Sequence, residues 1–134
     1  MTEQKVELLQ RVFDALGRRD LPALLDELDP QFELHPLISV WERSYVGRRA
    51  ITRWYRDVDQ VWEVFTVRGE EFRELDGGGM LVLGSWRGRP RRVGGELDGP
   101  LAAIVHFRLS KAARADFFLD EATALKWYEA SQAH

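Results

Sequence analysis

The chain has 134 residues, 45% of them hydrophobic and 31% charged, with a formal net charge of −3 at pH 7. That length suits one domain spanning residues 1–134, which on folding buries roughly two thirds of the surface its unfolded form exposes. The acidic balance argues against a nucleic-acid partner, and the lack of any cysteine excludes disulfides, thiolate nucleophiles and cysteine-ligated zinc.

The N-terminal stretch MTEQKVELLQRVF interleaves charged and apolar residues, so no secretory signal is expected. After Thr2, a candidate N-cap, Val6, Leu9, Phe13 and Leu16 step by three and four and predict a helix ending at Gly17. Asp20 caps a shorter helix with Pro22 in its first turn and Leu21, Leu24, Leu25 and Leu28 on its buried side, stopped by Asp29-Pro30. A strand over 31–35 follows, then a loop from Pro36 to Val46 carrying Trp41. From about Gly47 to Gln60, helical spacing recurs in Ile51, Trp54, Tyr55 and Val58, with Trp62 continuing it. Phe65 and Val67 alternate with polar neighbours, and after an irregular acidic stretch Asp76-Gly77-Gly78-Gly79 supplies a tight hairpin turn. Met80–Trp86 is the return strand, Pro90 and Gly94-Gly95 break pairing, and Leu101–Leu109 is a long strand. A short strand over Ala115–Leu119 runs into Asp120, which caps a last helix containing Ala124, Leu125 and Tyr128. No segment approaches the roughly 18 uninterrupted apolar residues of a membrane span, so no membrane partner and a cytoplasmic location are expected.

This order of elements resembles the SnoaL-like polyketide cyclase group of the nuclear transport factor 2-like superfamily. The resemblance is carried by Asp29-Pro30, YVGRRAITRWY, VWEVFTVRGEEFRELDGGGMLVLGSWRGR, the late VHFRL strand and FFLDEATAL. It implies an α+β fold, in which a curved mixed or antiparallel sheet forms a cone around the N-terminal helices and encloses a cavity, and it implies a homodimer. Aligning ELHP with ketosteroid isomerases puts His35 at the position similar to their catalytic carboxylate base. The positions resembling their two oxyanion donors hold Val12 and Val105. Neither donates a side-chain hydrogen bond to a developing enolate, which disfavours the isomerase mechanism.

Glu33 and His35 share one face of an extended strand and, with the aromatic helix, read as one wall of a pocket. An ordinary histidine pKa of about 6.5 suits His35 to proton transfer near neutrality; the other reading is a structural histidine hydrogen-bonded at a strand end. Trp54, Tyr55, Val58 and Trp86 supply either pocket lining or core, and Trp41 either lies across the mouth or anchors its loop. In Leu101–Leu109 the apolar set Leu101, Ala103, Val105, Phe107 and Leu109 should look into the cone, leaving Ile104 and His106 on the outer face. Phe13, Val105 and Phe107 therefore join Glu33 as candidate ligand contacts. Ile104, left wet on that outer face, would then serve a homodimer interface. Arg87, Arg89, Arg91 and Arg92 read as a solvated hairpin edge or an anion-recognising rim. There is no HExxH, GxxxxGK[ST] or GxSxG motif, so no metal or other cofactor is expected. Two functional readings stand: cofactor-free acid–base chemistry by His35 on a small, largely apolar organic molecule, or a non-catalytic binding or dimeric accessory domain using the same cavity.

Overall fold

The periodic apolar residues at the N-terminus form α1 (Thr2–Arg18), which buries Leu8, Leu9, Val12 and Phe13. The computed structural model describes residues 2–36, 44–92 and 94–132. α1 continues past Gly17, and the residue that ends it is Arg19, with φ at 55°. Arg19 N–H donates to Leu16 O (3.2 Å) and Asp20 N–H to Ala15 O (2.9 Å), the pattern of a left-handed helix stop. Arginine tolerates that backbone here because its side chain pairs with Asp59 and lies over the Tyr55 ring. Asp20 Oδ1 accepts from Ala23 N–H at 3.2 Å and caps α2 (Leu21–Glu27).

β1 (Leu28–His35) starts earlier than expected and includes Asp29-Pro30. Proline is accommodated because the register of β1 against β6 (Lys111–Phe118) shifts between Leu28 and Glu33, so no ladder hydrogen bond is asked of it. Within the expected Pro36–Val46 loop lies a two-residue strand, β2 (Tyr45–Val46), paired to Glu33 and Leu34. Trp41 falls outside the described residues. α3 (Ala50–Val61) begins three residues after Gly47, which takes φ at 100° and accepts at its carbonyl from Ala50 N–H. Tyr45 Oη donates to the buried Asp57 Oδ2 at 2.6 Å and ties β2 to this helix.

β3 (Trp62–Glu74), β4 (Met80–Pro90) and β5 (Leu97–Arg108) are all longer than the sequence patterns suggested. The acidic stretch is strand because Phe72 turns inward to the core cluster while Glu71 and Arg73 stay exposed. Among the described residues six strands form one unclosed sheet in the order β2-β1-β6-β5-β4-β3, with β1 parallel to β6 and every other pair antiparallel. Its curvature has a local cause. The β3–β4 register slips between Gly69 and Glu71, opposite Gly84, where a Cβ would lie 1.7 Å from Arg68 O. Two glycines thus let the backbones close up and the ribbon bend around Phe13 of α1.

The concave side holds the main core, in which α1, α2 and α3 meet Phe32, Leu34, Met80, Val82, Ala103 and Val105. α4 (Glu121–Gln132), capped by Asp120 Oδ1 accepting from Thr123 N–H at 2.7 Å, lies on the convex side. There it covers a second cluster of Leu81, Ala102, Ile104, Ala124 and Tyr128. Tyr128 Oη donates to Asp76 O (2.7 Å) and accepts from Gly79 N–H (3.1 Å), fastening the helix to the β3–β4 turn.

Two expectations are corrected. Leu109 does not face the core: β5 ends at Arg108, and Leu109 and Ser110 take positive φ in the turn to β6, leaving Leu109 91% exposed. Ile104 does face outward but is 0% exposed, so α4 removes the wet surface from which a dimer interface was argued.

Candidate functional site

The helices do not fill the concavity they share with the sheet. Between α1, α2, α3 and strands β1, β3, β5 and β6 remains a cavity offering about 70 Å³ to the centre of a water molecule. The structure places Phe13, Trp54, Val58 and Val105 on its wall, together with Leu9, Leu24, Phe32, Leu34, Pro36, Ile51, Trp62, Phe65, Ala115 and Phe117. One end is aromatic: Trp54 meets Phe65 edge-on at 6.1 Å and Trp62 lies 5.3 Å from Phe65, arrangements that suit ring quadrupoles.

Tyr55 and Trp86 form the layer behind this wall. Tyr55 packs at 5.4 Å from Trp54, and Trp86 stacks on Phe65 at 6.0 Å. Tyr55 Oη and Trp86 Nε1 are buried without hydrogen-bond partners, and burial raises the Tyr55 phenol above its ordinary pKa, against the lowering effect of Arg19. Phe107 packs against the same core without reaching the cavity and carries Lys5 Nζ 5.5 Å from its ring centroid.

Glu33 and His35 sit elsewhere. Phe32 and Leu34 are buried and line the cavity, so the alternating Glu33 and His35 project from the opposite face of β1. Their own spacing is bridged by side-chain length, with His35 Nε2 3.3 Å from Glu33 Oε1. Glu33 is level with Arg114 and His35 with Asp116 on β6, while β5 sets His106 beside Arg114. Asp116, buried beneath this layer, accepts two bonds from Arg114, at 2.8 Å from Nε and 3.1 Å from Nη2. That fork holds the Arg114 guanidinium above its ordinary pKa. Its guanidinium also lies 5.7 Å from the Trp127 ring centroid. His106 packs between Trp127 and Tyr128 of α4 with its Nδ1 buried and unpartnered. Burial, and then Arg114, lower its pKa against the raising effect of Asp116. The convex face is therefore packed, with ionic groups beside the apolar cluster under α4, and the concave face is apolar and hollow.

Among the basic residues near Pro90, Arg89 pairs with Glu96 (3.3 Å) and Glu63 (3.9 Å), and Arg91 Nε donates to Asp59 O. Those two guanidinia already have partners on the protein. Among the described residues no cluster of His, Asp or Glu is arranged to hold a metal ion, and no helix is long and apolar enough to cross a membrane.

Among the wall residues that sequence reasoning missed, Phe32, Leu34, Phe65 and Phe117 carried the signal of strand alternation. It says which residues share a face, and the apolar set goes inside.

Solved structures share this architecture. An NTF2-like protein of unknown function from Burkholderia pseudomallei superposes with a TM-score of 0.74 at 21% identity, over 92% of this chain and 95% of that one. TerC, crystallised with polyporic acid, gives 0.73 at 18% identity over 92% and 96%. Bal32a, from a soil-derived mobile gene cassette, gives 0.74 at 21% over 92% and 95%. Among curated proteins no significant match to the chain was found. The family model of the SnoaL-like domain matches residues 9–115, and with helices and curved sheet arranged as in NTF2-like structures, the chain belongs to the SnoaL-like domain family.

Proposed function

We propose that this domain binds a small organic molecule in the concave cavity and does no acid–base chemistry there. One observation carries the reading: the wall is built from Leu, Val, Ile, Ala, Pro, Phe and Trp side chains, with no ionisable group among the described residues. A general acid or base must come within hydrogen-bond reach of the proton it moves, directly or through one water. His35, projecting from the other face of β1, is separated from the cavity by the strand itself. Largely apolar, mostly preformed concavities are also the usual form of small-molecule sites. TerC, of the same fold, was crystallised with polyporic acid, which fits a binding role for this architecture.

The test is a thermal-shift screen of small organic molecules followed by a bound structure, repeated on two variants. Ala115→Leu, which fills the cavity, should abolish binding, whereas His35→Gln should leave affinity within about twofold. A ligand that lodges against Glu33, His35 and Arg114, and is lost in His35→Gln, would sink the proposal and return His35 to a proton-transfer role.

A further inference from the structure

The wall carries polar side-chain groups of one kind. Trp54 and Trp62 bring two indole N–H donors, and the Leu, Val, Ile, Ala, Pro and Phe side chains around them bring no acceptor. Resting on the binding reading above, we infer that the ligand is a neutral molecule bearing a hydrogen-bond acceptor, such as a ketone or ether oxygen, and that Trp62 Nε1 is the donor that meets it. The Trp62 ring is held in place. Trp62 begins β3 and reaches over β4, where a Cβ on Gly88 would lie 2.7 Å from its Cε3 and Cζ3. Glycine at 88 thus seats the six-membered ring, and Nε1 belongs to the opposite edge of the indole. Phe65, with its centroid 5.3 Å away, supports the ring from the side. Among the described residues Trp62 Nε1 donates to no protein group, and it is not closed off as the buried Trp86 Nε1 is.

The preference for an acceptor over a donor follows from the cost of a stranded hydrogen. A ketone oxygen that enters the cavity exchanges water for the indole N–H, and no hydrogen is left unpaired. A hydroxyl can accept from the same N–H, but its own hydrogen then meets side-chain carbon from Leu34, Val105 and Phe117. The strand and helix carbonyls behind that carbon already accept within their own ladders. A buried donor without a partner is expensive, so the alcohol loses most of what the indole gives. A carboxylate accepts as well, yet among the described residues no cationic side chain lines the space to offset its desolvation.

Small open-chain probes measure this on the full chain: 2-butanone and diethyl ether, which only accept, against 2-butanol, which also donates. The readouts are the Val105 and Leu34 methyl resonances and the indole N–H resonances, assigned with single Trp→Phe variants. The two acceptors should bind saturably, at least tenfold more tightly than the alcohol, a difference of about 1.4 kcal/mol. They should also move the Trp62 indole proton downfield in the parent chain. Trp62→Phe, which keeps an aromatic ring and removes the N–H, should bring 2-butanone to the affinity of 2-butanol, while Trp54→Phe leaves it within about twofold. Ketone and alcohol binding equally, with both lost in Ala115→Leu, overturns the ligand class and leaves the cavity as a binding site. A ketone preference that survives Trp62→Phe, or a Trp62 indole resonance that stays put as the ketone saturates, overturns the donor assignment. No saturable shift with any probe, or shifts that persist in Ala115→Leu, overturns both this inference and the binding reading beneath it.

Discussion

Neighbouring residues on the same strands live in opposite surroundings: Leu34, Val105 and Ala115 border open space on the concave side, while His35, His106, Arg114 and Asp116 crowd the convex side. Sequence alternation alone distributes these residues between faces, but the difference in packing comes from the sheet's bend. α4 lies flat against the convex surface and leaves Ile104 and Ala102 fully buried. On the concave side the sheet bends around Phe13 of α1 at Gly69 and Gly84, and the three helices bridge the hollow without filling it. A hollow costs dispersion contacts, and the packed convex layer is one source of the stability that offsets it. Charge follows the same division: ionic groups lie where solvent or a partner side chain is at hand, and apolar ones surround the space.

The largest expected effect tests the bend on which both faces depend. Gly84→Ala puts a methyl 1.7 Å from Arg68 O, a backbone atom that cannot step aside without breaking β3 from β4. The loss should be about 4 kcal/mol or more, at the severe end for single substitutions, and denaturant melts would show it. A cost under about 1 kcal/mol would mean that the curvature does not rest on this close approach.

Next in size is a matched pair of enlargements, one on each face. Ala102 is 0% exposed beneath α4, so Ala102→Leu should cost about 1–3 kcal/mol through overpacking. Ala115 faces the hollow, so Ala115→Leu should change stability by less than about 1 kcal/mol, the added methyl groups occupying free space. Urea midpoints for the two variants in parallel decide it. An equal or reversed order would mean that the concave face is already close-packed.

Much of this arrangement was legible in the residues. The three- and four-residue steps of Val6, Leu9, Phe13 and Leu16 produce α1, Asp20 and Asp120 cap the helices they precede, and Gly77 and Gly78 take positive φ in the β3–β4 turn. The alternation through β5 separates Val105, which faces in, from His106, which faces out. What was not legible depends on tertiary geometry. Glu33 and His35 share a face, but only the burial of Phe32 and Leu34 says that this face is the outer one. Where α4 lands is not written locally either: Tyr128 reaches Asp76 and Gly79 across about 50 residues of sequence, and that contact hides Ile104. The bend likewise needs Gly69 and Gly84 brought into register, a meeting that neither strand announces alone.

The smallest effect separates the faces by pH. His106 is held between Trp127 and Tyr128 of α4, with Arg114 and Asp116 facing it from β6, and burial with Arg114 lowers its pKa below the ordinary value. The unfolded chain, with histidine near about 6.5, then binds the proton more readily than the folded one. Stability is accordingly complete above about pH 6.5 and declines as pH falls from there through the lower folded pKa, below which it levels off. The imidazolium carries a hydrogen on Nδ1, which has no acceptor in its buried position, and its charge is desolvated there, so the seat of α4 weakens while the concave core is untouched. Urea midpoints measured between about pH 8 and about pH 5 should fall more steeply in the parent chain than in His106→Gln, with carboxylate titration common to both. The comparison belongs in a His35→Gln background, so that His106 is the histidine compared. Hydrogen exchange sharpens it: amides of α4 should lose protection on acidification before those of β4 and β5. Equal slopes for the two chains, or simultaneous loss of protection on both faces, would show that the convex layer carries no separate response to protons.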